Sequence, residues 1–244
     1  MDSINRFARI AAGSTSILTI VTFVVAYFTP PLSGPFCTSG CYDYPYSNVA
    51  SRFPRDYYWM FLAILISVNF IVLLVAIYYT SPEGKMPYSH LALIFGVMSS
   101  GILIVNYFVQ LAAIQPALLK GETEGIAILT QYNPHGLFIV LEEAGFLFMS
   151  LSLFCLAPVF GGRGKAGSWI QRVVIVSFFS SIICAVIVTV TLGHEREYVL
   201  EIALISINWL ELVVTGILLV LFYRRPVMPL PANRLCSPQL PESI

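Results

Sequence analysis

Three carboxyl groups stand inside long apolar stretches of this sequence, where a charged side chain is costly. Glu142 and Glu143 lie in the stretch 136–160, and Glu211 lies in the stretch 199–223. Placing one charge in the middle of a bilayer costs about 3 kcal/mol, so each such residue calls for a reason. The cores of the apolar stretches contain no Lys or Arg. We therefore expect these carboxyl groups to lack a cationic partner.

Four amide side chains, those of Asn69, Asn106, Gln110 and Asn208, accompany the carboxyl groups in the apolar stretches. Counted at 1.5 Å of rise per residue from the outer end of each helix, the three carboxyl groups, Asn69, Asn106 and Asn208 lie roughly 12–18 Å below the outer surface. Four helices thus contribute polar groups at one depth. The sequence predicts a shared polar pocket, reached from outside, with these seven residues as its ligand-binding groups.

Helical spacing supports this prediction, because residues three, four or seven apart share one face of a helix. Within 91–115, such a face carries Ser99, Asn106 and Gln110. Within 136–160, the face comprises Glu142, Gly145, Met149 and Ser152. Within 199–223, it comprises Glu201, Asn208, Glu211 and Thr215. We expect these faces to point into the bundle.

The chemistry of such a pocket follows from the lack of a counter-charge. Mutual repulsion and desolvation both disfavour buried carboxylates, so one or more of them is expected to hold a proton or to bind a cation. An acidic outer rim of Glu122, Glu124, Glu195 and Glu197 would attract cations. The competing interpretation is that the polar groups only join helices through hydrogen bonds, worth about 0.6 kcal/mol each.

The elements that must position these residues are membrane-spanning helices. Of the 244 residues, 57% are apolar and only 11% are charged, whereas soluble domains carry about 25% charged residues. A bilayer core needs about 20 helical residues to cross. The sequence predicts an all-α, polytopic membrane bundle of six spans, at 9–29, 57–80, 91–115, 136–160, 172–192 and 199–223.

Turn residues set several of these boundaries. Gln115-Pro116 is expected to close the third span, and Asn133-Pro134 to start the fourth, with Asn133 as the helix cap. Residues 1–225 form the membrane domain, and the Pro-rich tail 226–244 is expected to be disordered.

Basic residues predict the orientation. With the amino terminus inside, the inner segments hold eight Lys and Arg residues and the outer segments hold four. Positive charge favours the inner side, so both termini are expected inside, in the cell membrane, with the loop 30–56 outside.

That loop contains Cys37 and Cys41, which an oxidising compartment favours as a disulfide. A metal pair is the alternative interpretation, but two thiolates need further ligands that the sequence does not clearly supply. His135 and His194 with Glu143 or Glu195 lack metal-site spacing, so no metal is predicted. No cofactor fingerprint or nucleic-acid-binding signature is present, which leaves the bilayer as the expected partner.

Three functions stay open. The first is binding or transport of a cation or small cationic solute through the acidic pocket. The second is a membrane enzyme acting on a lipid or isoprenoid, with a protonated Glu as general acid; it predicts a pocket that opens to lipid. The third is a structural or regulatory subunit. The sequence alone does not decide whether the chain is an enzyme.

Overall fold

The computed structural model describes residues 2–29 and 32–224 of the chain. The described residues form helices and loops without a strand, which confirms the all-α class. Six long helices run through them: α1 is Asp2–Tyr27, α2 is Tyr58–Thr80, α3 is Met86–Val109, α4 is Leu137–Cys155, α5 is Gly164–Leu192 and α6 is Glu197–Phe222. The tail 226–244 lies outside the described residues.

Five helical segments of the described chain are long and apolar enough to cross a membrane, and they indicate a membrane protein. The fifth, Gly164–Phe222, contains both α5 and α6. Ser150 on α4 lies 3.0 Å from the hydroxyl of Ser181 on α5 and donates to Asn208 Oδ1 on α6 at 3.3 Å. Helices α5 and α6 therefore lie side by side, and the chain reverses direction at Gly193–Arg196.

The helices form a closed ring. Each helix packs against the next in the chain, and α6 completes the ring by packing against α1. Helix α4 also crosses to α6 inside the ring. The buried apolar side chains form one core that runs through all six helices.

Small residues allow close approach at the ring's tightest contacts, as is usual between helices in membranes. A Cβ atom on Gly145 of α4 would come within 2.6 Å of Leu103 on α3. A Cβ atom on Gly216 of α6 would come within 2.8 Å of the carbonyl oxygen of Ala12 on α1. Serine hydroxyl groups bond across the same α3–α4 contact: Ser99 donates to the Gly145 carbonyl at 2.7 Å, and Ser152 donates to the Ala92 carbonyl at 2.6 Å.

The third helix does not end at Gln115-Pro116, contrary to the sequence-based expectation. A π-helical turn, Gln110–Ile114, follows α3, and a further helical segment, Gln115–Leu119, continues it. Pro116 lies in the first turn of that segment, where the backbone N–H that proline lacks is not needed for a helical hydrogen bond. The π-helical turn before Pro116 thus allows the helix to continue beyond this proline.

The fourth helix begins at Leu137, and Asn133 is not its cap. The Asn133 side chain instead accepts a hydrogen bond from the His135 N–H at 2.9 Å and donates to the Ala127 carbonyl at 2.6 Å. Asparagine readily binds the backbone two residues on, and this local bond competes with capping. Helices α1 and α5 also begin seven or eight residues before the expected spans, because a helix can extend past its apolar part.

The loop between α1 and α2 packs onto the segment 114–132. Leu32 and Val49 from the loop join a second buried cluster with Ile114, Leu118 and Tyr132. In the structure Cys37 and Cys41 form a disulfide within this loop. The loop and the segment before α4 together cover one end of the helix ring.

Candidate functional site

A cavity of about 430 Å³ lies between the last turns of α1, the first turns of α2 and α6, and the segment before α4. Seven of its lining residues are aromatic: Phe23, Tyr27, Trp59, Tyr132, Phe138, Tyr198 and Trp209. Two lining residues are acidic, Asp56 and Glu201. Aromatic faces and carboxylates both attract positive charge, so the wall has the chemistry of a cation site.

Glu201 connects the cavity to two buried polar side chains, those of Glu142 and Tyr107. Its carboxyl group lies against that of Glu142 on α4. The Tyr107 hydroxyl group on α3 donates to Glu142 Oε1 at 2.6 Å. Glu142 is fully buried, and Glu201 is 7% exposed at the cavity wall. Three helices therefore hold one carboxyl group at the cavity and a second one behind it.

Two carboxyl groups in contact repel each other when both are ionised, and burial adds to that cost. The second oxygen of Glu142, Oε2, meets no donor among the described residues. A proton on one of the two groups, or a cation beside Glu201, would stabilise the pair.

The neighbouring carboxyl groups have cationic partners. Arg196 lies 3.3 Å from Glu143 Oε2, and Arg55 lies 2.7 Å from Asp56 Oδ1. The expectation that the intramembrane carboxyl groups lack a cation is therefore wrong for Glu143. Arg196 follows the turn between α5 and α6, and its long side chain reaches Glu143 from there. In the part of the chain that the structure describes, the Glu142–Glu201 pair has no cation within 4 Å.

Hydrogen bonds close the end of the cavity that lies under the loops. The Ser33 hydroxyl group donates to the Tyr132 carbonyl oxygen and lies 2.7 Å from the Tyr198 hydroxyl group. Tyr198 also bonds to the Gln131 carbonyl at 3.2 Å. The Tyr132 hydroxyl group donates to Asp56 Oδ2 at 3.3 Å, and burial raises the pKa of Tyr132 above its ordinary value, so it remains a donor.

The seven residues predicted from the sequence do not share one pocket. Glu142 and Glu143 lie behind the cavity, close to Glu201. Asn69 instead joins α2 to α1, donating to Thr15 Oγ1 at 2.6 Å and accepting from Ser14. None of the seven belongs to the cavity wall.

Asn106 and Gln110 also make structural bonds. Asn106 donates to the Phe138 carbonyl of α4 at 2.9 Å. Gln110 donates to the Leu129 carbonyl at 2.6 Å and accepts from the Gln131 N–H at 3.0 Å. These amides hold the segment before α4 in place, and so they shape the cavity without lining it.

The remaining two predicted residues lie deeper along α6. Asn208 accepts from Ser150 and donates to the Leu204 carbonyl at 2.9 Å. Glu211 is 2% exposed, and neither of its oxygen atoms has a partner among the described residues. The Thr215 hydroxyl group, one turn further, has none there either.

Sequence reasoning missed the cavity wall itself. Glu201 shares a helical face with Asn208, and the helical spacing shows this. Because Glu201 lies near the start of its helix, the deeper Glu211 was predicted as the ligand-binding residue instead. Trp59 has the position of an ordinary interfacial anchor, and Tyr107 adjoins Asn106 without any polar spacing. Only the packing of α3 on α4 brings the Tyr107 hydroxyl group to Glu142.

No protein-family model, curated protein or solved structure matches the chain. Within residues 2–29 and 32–224, no three His, Cys, Asp or Glu side chains are grouped as a metal site would require. The case for function therefore rests on the cavity.

Proposed function

We propose that this chain is a six-span membrane protein that binds and transports a small cationic solute through the cavity at Glu201. The observation that carries the proposal is the Glu142–Glu201 pair, which has no cation within 4 Å among the described residues and lies beside an aromatic-lined space of about 430 Å³. A buried carboxylate is most stable when a ligand of opposite charge occupies the space next to it.

The wall suits an organic cation better than a bare metal ion. A metal ion needs several oxygen or nitrogen ligands, whereas the wall offers mainly rings and aliphatic groups around Glu201. A cation over an aromatic face gains about 0.5–2 kcal/mol per ring. Trp59, Tyr198 and Trp209 are three of the rings that line the same cavity as Glu201.

The proposal includes the orientation of the chain. Both termini lie on the inner side of the cell membrane, and the loop 30–56 lies outside. The excess of Lys and Arg in the inner segments supports this orientation. The bond between Cys37 and Cys41 also supports it, since disulfides persist on the oxidising side of a membrane. Helices α5 and α6 then make the fifth and sixth spans.

One observation favours a second candidate, an enzyme that acts on a lipid or isoprenoid. Phe23 and Ile202 line the cavity and are 52% and 37% exposed on helices of spanning length, so the cavity has a side that faces lipid. In that role Glu201 in its protonated form would serve as the general acid. Conversion of an added isoprenoid that stops in Glu201→Gln would favour this candidate over transport.

The first experiment measures the melting temperature of the purified protein with a series of organic and inorganic monovalent cations. A ligand that binds only the folded protein stabilises it by about 2.7 kcal/mol at 100 times its Kd. We expect one organic cation to raise the melting temperature of the wild type and to leave Glu201→Gln unchanged.

The matched control is Glu83→Gln, because Glu83 is exposed and lies outside both the cavity wall and the acidic outer rim. It should respond to the cation as the wild type does. Uptake of the same cation into sealed vesicles then separates transport from binding. If no cation shifts the melting temperature of the wild type, the proposal is wrong.

A further inference from the structure

We infer that the ligand is an amphipathic organic cation, which reaches the cavity sideways from the membrane, between α1 and α6. This inference rests on the proposed function and deepens it by naming the class of ligand and its route. It follows from which lining residues are exposed, where the α1–α6 contact ends, and which side chains line the cavity.

The exposed part of the cavity wall belongs to two helices only. Tyr27 and Phe23, near the end of α1, are 74% and 52% exposed, and Ile202 on α6 is 37% exposed. Ser206, one turn along α6, is exposed as well. All four lie within segments that are apolar enough to cross a membrane. The open side of the cavity therefore lies at the depth of the lipid.

The opposite side of the wall is buried. Leu32, Tyr132 and Tyr198 are 8%, 5% and 6% exposed, and hydrogen bonds through Ser33 tie the two loop segments to α6. The ion pair of Asp56 with Arg55 lies beside them. A solute coming through this end would have to break these bonds, whereas a solute coming between α1 and α6 would not.

The α1–α6 contact explains why a gap exists at one end. Along the first half of α1 the two helices touch closely: Ser16 donates to the Val213 carbonyl at 3.0 Å, and Gly13 faces Val220. Beyond this contact, large side chains replace the small ones. Phe23 meets Trp209 edge to face with ring centroids 6.3 Å apart, and the cavity begins there. The bulk of these rings keeps the ends of the helices apart.

Charge and wall chemistry define the ligand. Glu201 places a carboxyl group in the cavity wall, and no cation of the described residues lies within 4 Å of it, so a positively charged ligand is favoured there. The rest of the wall is apolar and aromatic, so it stabilises a ligand by burying the ligand's apolar surface, which contributes about 25 cal/mol per Å². A hydrophilic cation would lose its hydration without burying apolar surface in exchange, so its binding would be weaker. Lipophilic ammonium or phosphonium ions meet both conditions and dissolve in a bilayer.

The test compares two probe cations with full-length protein in lipid nanodiscs: tetraphenylphosphonium, which is lipophilic, and tetramethylammonium, which is hydrophilic. Ser206→Trp places a large ring at the open side of the cavity. Leu210→Trp is the matched control, because Leu210 is 66% exposed on α6 and does not line the cavity. Ile202→Phe narrows the same side by a smaller step and serves if Ser206→Trp does not fold.

We expect the wild type to bind tetraphenylphosphonium at least 100-fold more tightly than tetramethylammonium. Ser206→Trp should slow tetraphenylphosphonium association at least tenfold, and Leu210→Trp should change that rate less than twofold. Equal binding of both probes overturns the amphipathic ligand class, and a Ser206→Trp variant with an unchanged association rate overturns the sideways route; both results leave the cation site standing. Failure of both probes to bind, with Glu201→Gln no different from the wild type, overturns the proposed function itself.

Discussion

At the scale of single residues, we assign Glu142 and Glu201 different roles although their carboxyl groups lie against each other. Glu201 lines the cavity, whereas Glu142 is fully buried behind it and accepts from Tyr107. The cation would meet Glu201, and Glu142 would position that carboxyl group. A carboxylate held by a buried donor keeps its place, because leaving the donor unpaired costs about 1–3 kcal/mol.

This division of roles predicts that Glu142→Gln keeps cation binding, with a change in Kd of less than about threefold. The Gln side chain keeps the shape of Glu142: its oxygen can still accept from Tyr107, and its N–H can donate to the Glu201 carboxylate. The Kd for the stabilising cation measures the effect. Glu142→Ala is the contrasting variant and should weaken binding by about tenfold or more, since it removes the bond to Tyr107 and the contact with Glu201. Equal loss in the two variants would place Glu142 itself in contact with the cation.

At the scale of elements, hydropathy and turn residues predicted the long helices, because a helix is the form in which an apolar chain can cross a bilayer. They did not predict the continuation of α3 to Leu119, since the π-helical turn before Pro116 has no sequence signature. The sequence also did not reveal that Glu142 lies against Glu201. Depth and phase can be counted along one helix, but the neighbour that a face meets depends on how the helices pack.

The tight contact between α3 and α4 gives a prediction at this scale. Gly145→Ala places a Cβ atom 2.6 Å from Leu103 Cδ2, so the helices must separate, at a cost of about 1–3 kcal/mol. The separation also disturbs Tyr107 and Glu142, which bond across the same two helices. We therefore expect a lower melting temperature and weaker cation binding together.

Gly101→Ala is the control for this substitution. Gly101 is exposed on α3, with no atom near enough to contact an added Cβ. Alanine favours a helix over glycine by about 0.5–1 kcal/mol, so this variant should melt at the wild-type temperature or slightly higher. If Gly145→Ala melts like Gly101→Ala, the close α3–α4 contact is not needed for stability.

At the scale of the whole molecule, the ring of helices gives the cavity its shape. Because α6 packs back against α1, the first and last helices of the ring form the two sides of the proposed ligand route. The loops at one end then cover the cavity, and the lipid-facing gap remains. This arrangement requires α5 and α6 to cross the membrane separately, with their turn on the same side as the loop 30–56.

That requirement is tested by labelling cysteines in intact cells with a membrane-impermeant maleimide. Lys165 and His194 are both exposed and stand at the opposite ends of α5. In a background with the unpaired cysteines replaced by Ser, His194→Cys should be labelled from outside and Lys165→Cys only after the membrane is opened. Because one crossing separates the two positions, equal labelling of both would show that α5 does not span. The reverse pattern would invert the chain, place the cavity near the inner leaflet and leave the ring of helices unchanged.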